Sequence, residues 1–112
     1  MIFRSSQPAQ ISVQQLHEEL QSDQPPALLD VRQPEEYDLV RLESAQHIPL
    51  GELRDRLEEL DASRRWVVYC KSGRRSAKAV AMLSEQGFAE AVNLTGGILD
   101  WVDQVQPELP RY

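Results

Sequence analysis

Cys70 is the only cysteine of the chain, and Lys71, Arg74, Arg75 and Lys78 follow it within eight positions. A thiol is a weak nucleophile until it ionises: with an ordinary pKa of about 8.5, only a few per cent is thiolate at pH 7. Backbone amides, a helix N-terminus and nearby cations lower that pKa enough to leave a sulfur mostly ionised. The stretch Lys71-Ser72-Gly73-Arg74 can supply all three. Gly73 lets the backbone turn so that successive amides point inward as an anion-binding nest. Cations at a helix N-terminus are electrostatically misplaced unless an anion occupies the site, so Lys71, Arg74 and Arg75 make sense around an ionised sulfur or a bound anion. The plainer reading of Cys70 is an ordinary buried thiol, with the cations, Lys78 above all, as solvated surface. That reading leaves the glycine and the three closest cations unexplained.

For Cys70 to reach a helix N-terminus, a strand must deliver it and a helix must follow. Trp66 to Tyr69 is β-branched and aromatic and reads as that strand. From Arg75 or Ser76 to Gln86 the spacing of Ala77, Val80, Ala81 and Leu83 predicts the helix. Upstream, Ser12 with Gln15 has the form of a capping box, and Val13, Leu16 and Leu20 share one face of a helix over 13–21. Ala27 to Val31 reads as a strand. Pro34 opens a short helix through Val40, with Glu35 and Glu36 at its favourable end. His47-Ile48-Pro49 reads as a brief strand or extended link, and Leu50, Leu53, Leu57 and Leu60 mark a third helix. Ala91 to Leu94 forms a further strand, Gly96-Gly97 a tight turn, and Ile98 to Val105 a closing helix carrying Trp101, before a short tail from Pro107 to Tyr112. Strand and helix alternate throughout, which predicts an α/β fold: a single small domain with a mostly parallel central sheet flanked by helices. In such sheets ligands gather at the carboxyl ends of the strands, where Cys70 lies.

Bulk properties narrow the function classes. At 112 residues with 41% hydrophobic and 27% charged side chains, the chain reads as one soluble globular domain. A single cysteine forbids an internal disulfide, and His17 and His47 lack metal-ligand spacing, so neither metal nor cofactor is expected. No apolar run approaches the roughly 20 residues of a membrane span, and the start MIFRSSQPAQ lacks the apolar core of a secretory signal, which predicts a cytoplasmic protein. The net charge of −6 disfavours nucleic acid as a partner, although residues 70–78 carry +4 and no acid, leaving −10 elsewhere.

Cys70-Lys71-Ser72-Gly73-Arg74-Arg75-Ser76 resembles the active-site loop of rhodanese-like sulfurtransferases. Leu28-Leu29-Asp30-Val31-Arg32 with Pro34-Glu35-Glu36-Tyr37, His47-Ile48-Pro49-Leu50, and Asn93-Leu94-Thr95-Gly96-Gly97-Ile98 with Trp101 match further motifs of that family in order. The likeness covers nearly the whole chain, 1–112 with a core of about 9–105. Its C-terminal half, through Leu109-Pro110-Arg111-Tyr112, is most similar to rhodanese domains fused behind enzymes that adenylate sulfur carriers. Arg41-Leu42-Glu43-Ser44-Ala45 departs from the commoner Pro-Gly-Ala turn. The resemblance implies that Cys70 takes sulfane sulfur from a small anionic donor such as thiosulfate, becomes a persulfide, and passes the outer sulfur to cyanide, a thiol or a sulfur-carrier protein. The substrate-binding residues would be Lys71, Ser72, Gly73, Arg74, Arg75 and Ser76. Asp30 and Arg32 would support the loop from behind as an ion pair, with Arg32 as a direct substrate ligand the alternative. His47 reads as packed or hydrogen-bonded near its strand rather than as a general base, and Trp66 and Trp101 as core.

Two rivals stand beside this reading. A cysteine phosphatase or arsenate reductase also needs a thiolate, amides and arginine, but its signature sets five residues between cysteine and arginine, and the required position is Ser76. A rhodanese-like binding module that has lost its chemistry is the other; retention of Cys70 argues against its usual form.

Overall fold

The computed structural model describes residues 9–112. Most of the segment read above as lacking a secretory core, residues 1–8, lies outside the described residues. The element order is β1 (Gln10–Ile11), α1 (Val13–Leu20), β2 (Ala27–Asp30), α2 (Pro34–Leu39), β3 (Gln46–His47), α3 (Leu50–Leu53), a 3₁₀ segment (Arg54–Glu59), β4 (Arg65–Tyr69), α4 (Arg74–Glu85), β5 (Glu90–Leu94) and α5 (Gly97–Gln104). The five strands form one sheet in the order β1-β5-β4-β2-β3, every neighbouring pair parallel. The chain is thus an α/β domain with a parallel sheet, as the alternation predicts.

Residues alternate along the strands between two apolar layers. Leu28, Val67, Tyr69, Val92 and Leu94 pack with Val13 and Leu16 of α1 and with Ile98, Trp101 and Val102 of α5. Leu29, Val68 and Ala91 face the other way, onto Leu53 of α3 and Ala79, Val80 and Leu83 of α4. Burial on both faces explains why β4 reads as a continuous apolar run rather than an alternating one. Each wholly buried leucine or valine of these layers contributes about 1.5–3 kcal/mol by transfer from water.

Helix α2 after β2 leads outward to β3, whereas α4 after β4 leads the opposite way to β5. The carboxyl ends of β2 and β4 therefore flank the point where the winding reverses, the place where open parallel sheets form a crevice. Cys70 follows β4, and Asp30 ends β2 with Val31 and Arg32 just beyond it.

One expectation is corrected, and one strand is added. The third helix does not run unbroken through Leu60: one turn, α3, gives way to the 3₁₀ segment, and Arg56 leaves helical geometry at φ −127°, ψ 21°. There the Arg56 guanidinium binds Glu52 at 3.0 Å and Glu59 at 2.7 Å. Leu53 and Leu60 are buried all the same and Leu57 packs beside them, so the apolar spacing holds although the backbone bonding differs. Strand β1 carries no sequence signal, because two residues have no periodicity; it exists through tertiary pairing, with Thr95 N–H donating to the Ile11 carbonyl at 2.8 Å.

Candidate active site

Helix α4 starts at Arg74, one or two residues earlier than its spacing predicts, because Gly73 takes the N-cap position in the left-handed region at φ +108°. That conformation disfavours any residue with a Cβ. It turns the chain so that the Cys70 sulfur meets the amides at the head of α4. Cys70 Sγ accepts from Gly73 N–H at 3.1 Å and from Ser76 N–H at 3.4 Å, and lies 3.3 Å from Ser76 Oγ. The sulfur thus fills the acceptor role of a helix cap, satisfying amides that have no partner within the helix.

Cys70 is only 1% exposed and joins the apolar layer beneath α4. Burial pushes its pKa up, but the Ser76 hydroxyl and the amides of Ser76, Gly73 and Ser72 outweigh it and hold the thiol below its ordinary value. Hydrogen bonds to the ionised form, rather than the surrounding arginines, are the largest lowering influence.

Two further elements, β5 and the head of α5, hold this cradle. Asn93, buried on β5, donates through Nδ2 to the Gly73 carbonyl at 3.1 Å, and its Oδ1 accepts the Ser76 hydroxyl. From the other side, the head of α5 grips the start of the loop: Ile98 N–H donates to the Cys70 carbonyl at 2.9 Å and Leu99 N–H to the Lys71 carbonyl at 3.2 Å. So close an approach needs Gly97, where a Cβ would stand 2.4 Å from the Lys71 oxygen and 2.6 Å from the Cys70 oxygen.

Above the sulfur opens a cleft of about 540 Å³, lined by Cys70, Lys71, Ser72, Arg74, Arg75 and Lys78. Its cations are not equivalent. Arg75 is tied to Glu36 of α2 by two hydrogen bonds of 2.6 and 2.9 Å. That pairing with Arg75, helped by a hydrogen bond from Tyr112, holds the Glu36 carboxyl down to about 2. Arg74 and Lys78 are exposed along the rim. A second hollow, about 480 Å³ among Leu20, Pro26, Glu43, Arg64 and Trp66, contains no nucleophilic thiol. Among the described residues no group of histidine, cysteine, aspartate and glutamate is arranged to hold a metal ion.

Asp30, the last residue of β2, and Arg32, two residues on, both have no exposed surface. Arg32 Nη2 meets Asp30 Oδ2 at 2.7 Å, Nε reaches the same carboxylate, and the remaining bonds go to the Val40 carbonyl and to the Tyr112 hydroxyl at 2.8 Å. So placed, the Arg32 guanidinium is engaged within the fold and does not line the cleft. His47 Nε2 donates to the Arg32 carbonyl at 2.7 Å, and its ring stacks on Tyr37 at 4.4 Å. Trp66 and Trp101 are core residues, 3% and 5% exposed.

Sequence reading brought together the loop from Cys70 to Ser76 but assigned no part to Glu36, Asn93, Gly97 or Tyr112. Asn93 and Gly97 stood in a quoted motif without a partner, Glu36 read as a helix-end charge, and Tyr112 as tail. No local signal links these residues to a loop that is 15 or more positions away in the sequence.

Known proteins share both the sequence and the architecture. The chain is 41% identical over 104 residues to the "Probable adenylyltransferase/sulfurtransferase MoeZ" of Mycobacterium tuberculosis, covering 91% of this chain but 26% of that protein. It therefore spans about a quarter of that relative's length. A "Sulfurtransferase" of Allochromatium vinosum is 34% identical over 92 residues, covering 82% of this chain and 86% of the relative. The crystal structure of a rhodanese-related protein from Thermoplasma volcanium superposes with a TM-score of 0.80 at 32% identity, over 88% of this chain and 95% of that one. Residues 12–104 match the family model of the Rhodanese-like domain, and on sequence and fold together the chain belongs to the rhodanese-like domain family.

Proposed function

We propose that this domain is a sulfurtransferase in which Cys70 carries the sulfur. The observation that carries the reading is the convergence of the Gly73 and Ser76 amides and the Ser76 hydroxyl on one sulfur at the floor of a cationic cleft. The names of the MoeZ and Allochromatium relatives support sulfur transfer as the reaction class.

In the first half-reaction the thiolate attacks the outer sulfur of a donor such as thiosulfate. A bond forms between Sγ and that sulfur, the donor's sulfur–sulfur bond breaks, and its electron pair leaves with sulfite. Lys71 and Arg74 at the rim offset the charge of the incoming oxyanion and of the departing sulfite. The persulfide is itself an anion that the loop amides can hold. In the second half, cyanide or a thiolate attacks the outer sulfur, and the electron pair returns to Sγ. With a single cysteine in these 112 residues, no second thiol of this domain can take the sulfur, and a thiol or a sulfur-carrier protein is our proposed acceptor. A reducing, cytoplasmic setting keeps such a lone thiol free. Asp30 and Arg32 act from behind as a buried support and not as substrate ligands.

Intact mass after mixing with thiosulfate tests the reading. The expected result is a gain of one sulfur atom, removed by cyanide and absent from Cys70→Ser. Hydrolysis of an aryl phosphate without sulfur transfer would overturn it in favour of a phosphatase. That rival is disfavoured because the position its arginine needs is the buried Ser76, bonded to the sulfur.

A further inference from the structure

We propose that Tyr112 is a positioning residue of the Cys70 site: its ring holds the Lys71 ammonium at the cleft and so sets the site's preference for anionic over neutral reactants. The sequence reads this residue as the end of a tail, yet the chain folds back, with Leu109 and Tyr112 packed against the apolar layer beneath α1 and α5. The Tyr112 hydroxyl is anchored at two points. It accepts from Arg32 Nη1 at 2.8 Å and donates to Glu36 Oε2 at 2.6 Å. Arg32 is fully buried and Glu36 is itself locked to Arg75, so the ring between them is fixed by β2, α2 and α4 together.

Over that ring sits the Lys71 ammonium, 4.6 Å from the centroid. A lysine side chain is long and flexible, and a solvated one samples many rotamers. The aromatic face attracts its cation and restricts it. Lys71 is the residue next to the nucleophile and lines the same cleft, so where its charge rests decides the potential that an arriving reactant meets. Of the other cations that line the cleft, Arg75 is already neutralised by Glu36, and Arg74 and Lys78 lie exposed on the rim. Lys71 is therefore a cleft cation outside any ion pair among the described residues, and an aromatic ring of the fold holds its position.

This inference needs only a reactive thiol at Cys70 and does not rest on sulfur transfer. Its test is the ratio of Cys70 alkylation rates with iodoacetate, an anion, and iodoacetamide, its neutral counterpart, at one pH and low salt. We expect the ratio to fall by about 3- to 10-fold in Tyr112→Leu and equally in Lys71→Ala, with no further fall in the double variant. Tyr112→Phe, which keeps the ring but loses both hydroxyl anchors, falls between the parent and Tyr112→Leu. Circular dichroism establishes that each variant is folded. A Tyr112→Leu variant with an unchanged ratio, or one that slows both reagents alike, would overturn the proposal, as would a Tyr112→Phe ratio as low as that of Tyr112→Leu. If thiosulfate fails as a donor while the ratio behaves as expected, the sulfur-transfer reading falls and this one stands.

Discussion

Asn93 Oδ1 accepts the hydroxyl of Ser76, the same hydroxyl whose oxygen lies 3.3 Å from Cys70 Sγ. With the hydrogen turned toward Asn93, a protonated thiol can donate to Ser76 Oγ. Once the sulfur ionises, the hydroxyl hydrogen is better placed on the sulfur, because a bond to a charged acceptor is roughly twice as strong as a neutral one. Ser76→Ala removes that donor. A charge-assisted hydrogen bond contributes about 1.5–3 kcal/mol, so alkylation of Cys70 by iodoacetamide at neutral pH should slow by about tenfold or more. An unchanged rate would show that the two amides suffice.

The pH dependence of stability follows from the depressed Cys70 pKa. A group that ionises more readily folded than unfolded stabilises the fold in its charged form. That contribution is complete above the ordinary thiol value of about 8.5 and disappears as pH falls through the lower, folded-state pKa. Denaturant midpoints measured from neutral pH to about pH 9 should therefore rise relative to those of Cys70→Ser over the same range. Parallel curves for the two proteins would mean that the sulfur is not preferentially ionised in the fold.

Gly97→Ala should damage the site from behind. The added methyl would press on the carbonyls of Cys70 and Lys71, and φ of +62° is unfavourable for alanine. Relief requires the loop to lift off α5, breaking the bonds from Ile98 and Leu99. We expect a loss of about 1–3 kcal/mol in stability and a larger proportional loss of Cys70 reactivity. Wild-type reactivity in this variant would mean that α5 does not set the loop.

Arg32→Leu leaves the Asp30 carboxylate buried without its partner. Removing one member of a buried pair costs about 3–5 kcal/mol, whereas replacing both with apolar residues is often nearly neutral. Chemical denaturation should show the single variant strongly destabilised and Asp30→Leu/Arg32→Leu substantially recovered. Since the guanidinium does not line the cleft and reaches it only through Tyr112, the recovered double variant should lose no more thiosulfate affinity than Tyr112→Leu does.

Much of the fold was legible because its signals are local. Trp66 to Tyr69 announces a buried strand by composition, Ser12 and Gln15 announce a helix start by their spacing, and the capping box forms as read. Leu53, Leu57 and Leu60 kept their buried side even where the backbone passed into 3₁₀ geometry, since burial depends on spacing and only weakly on which carbonyl each amide finds. Strand β1 escaped because two residues become a strand only when β5 is beside them.

What the sequence determined by itself is the parallel α/β alternation and the loop from Cys70 to Ser76, because strand, glycine turn and helix start are written in adjacent residues. Tertiary structure alone decided which of the four nearby cations is neutralised by a carboxylate. Arg74 and Arg75 are neighbours of the same type, yet Arg75 is paired with Glu36 and Arg74 is exposed. Charge pairing depends on distances of a few ångströms between segments far apart along the chain. Winding the sheet brings α2, β5, the head of α5 and Tyr112 against the segment from Cys70 to Ser76, and no pattern within any one of them specifies that meeting.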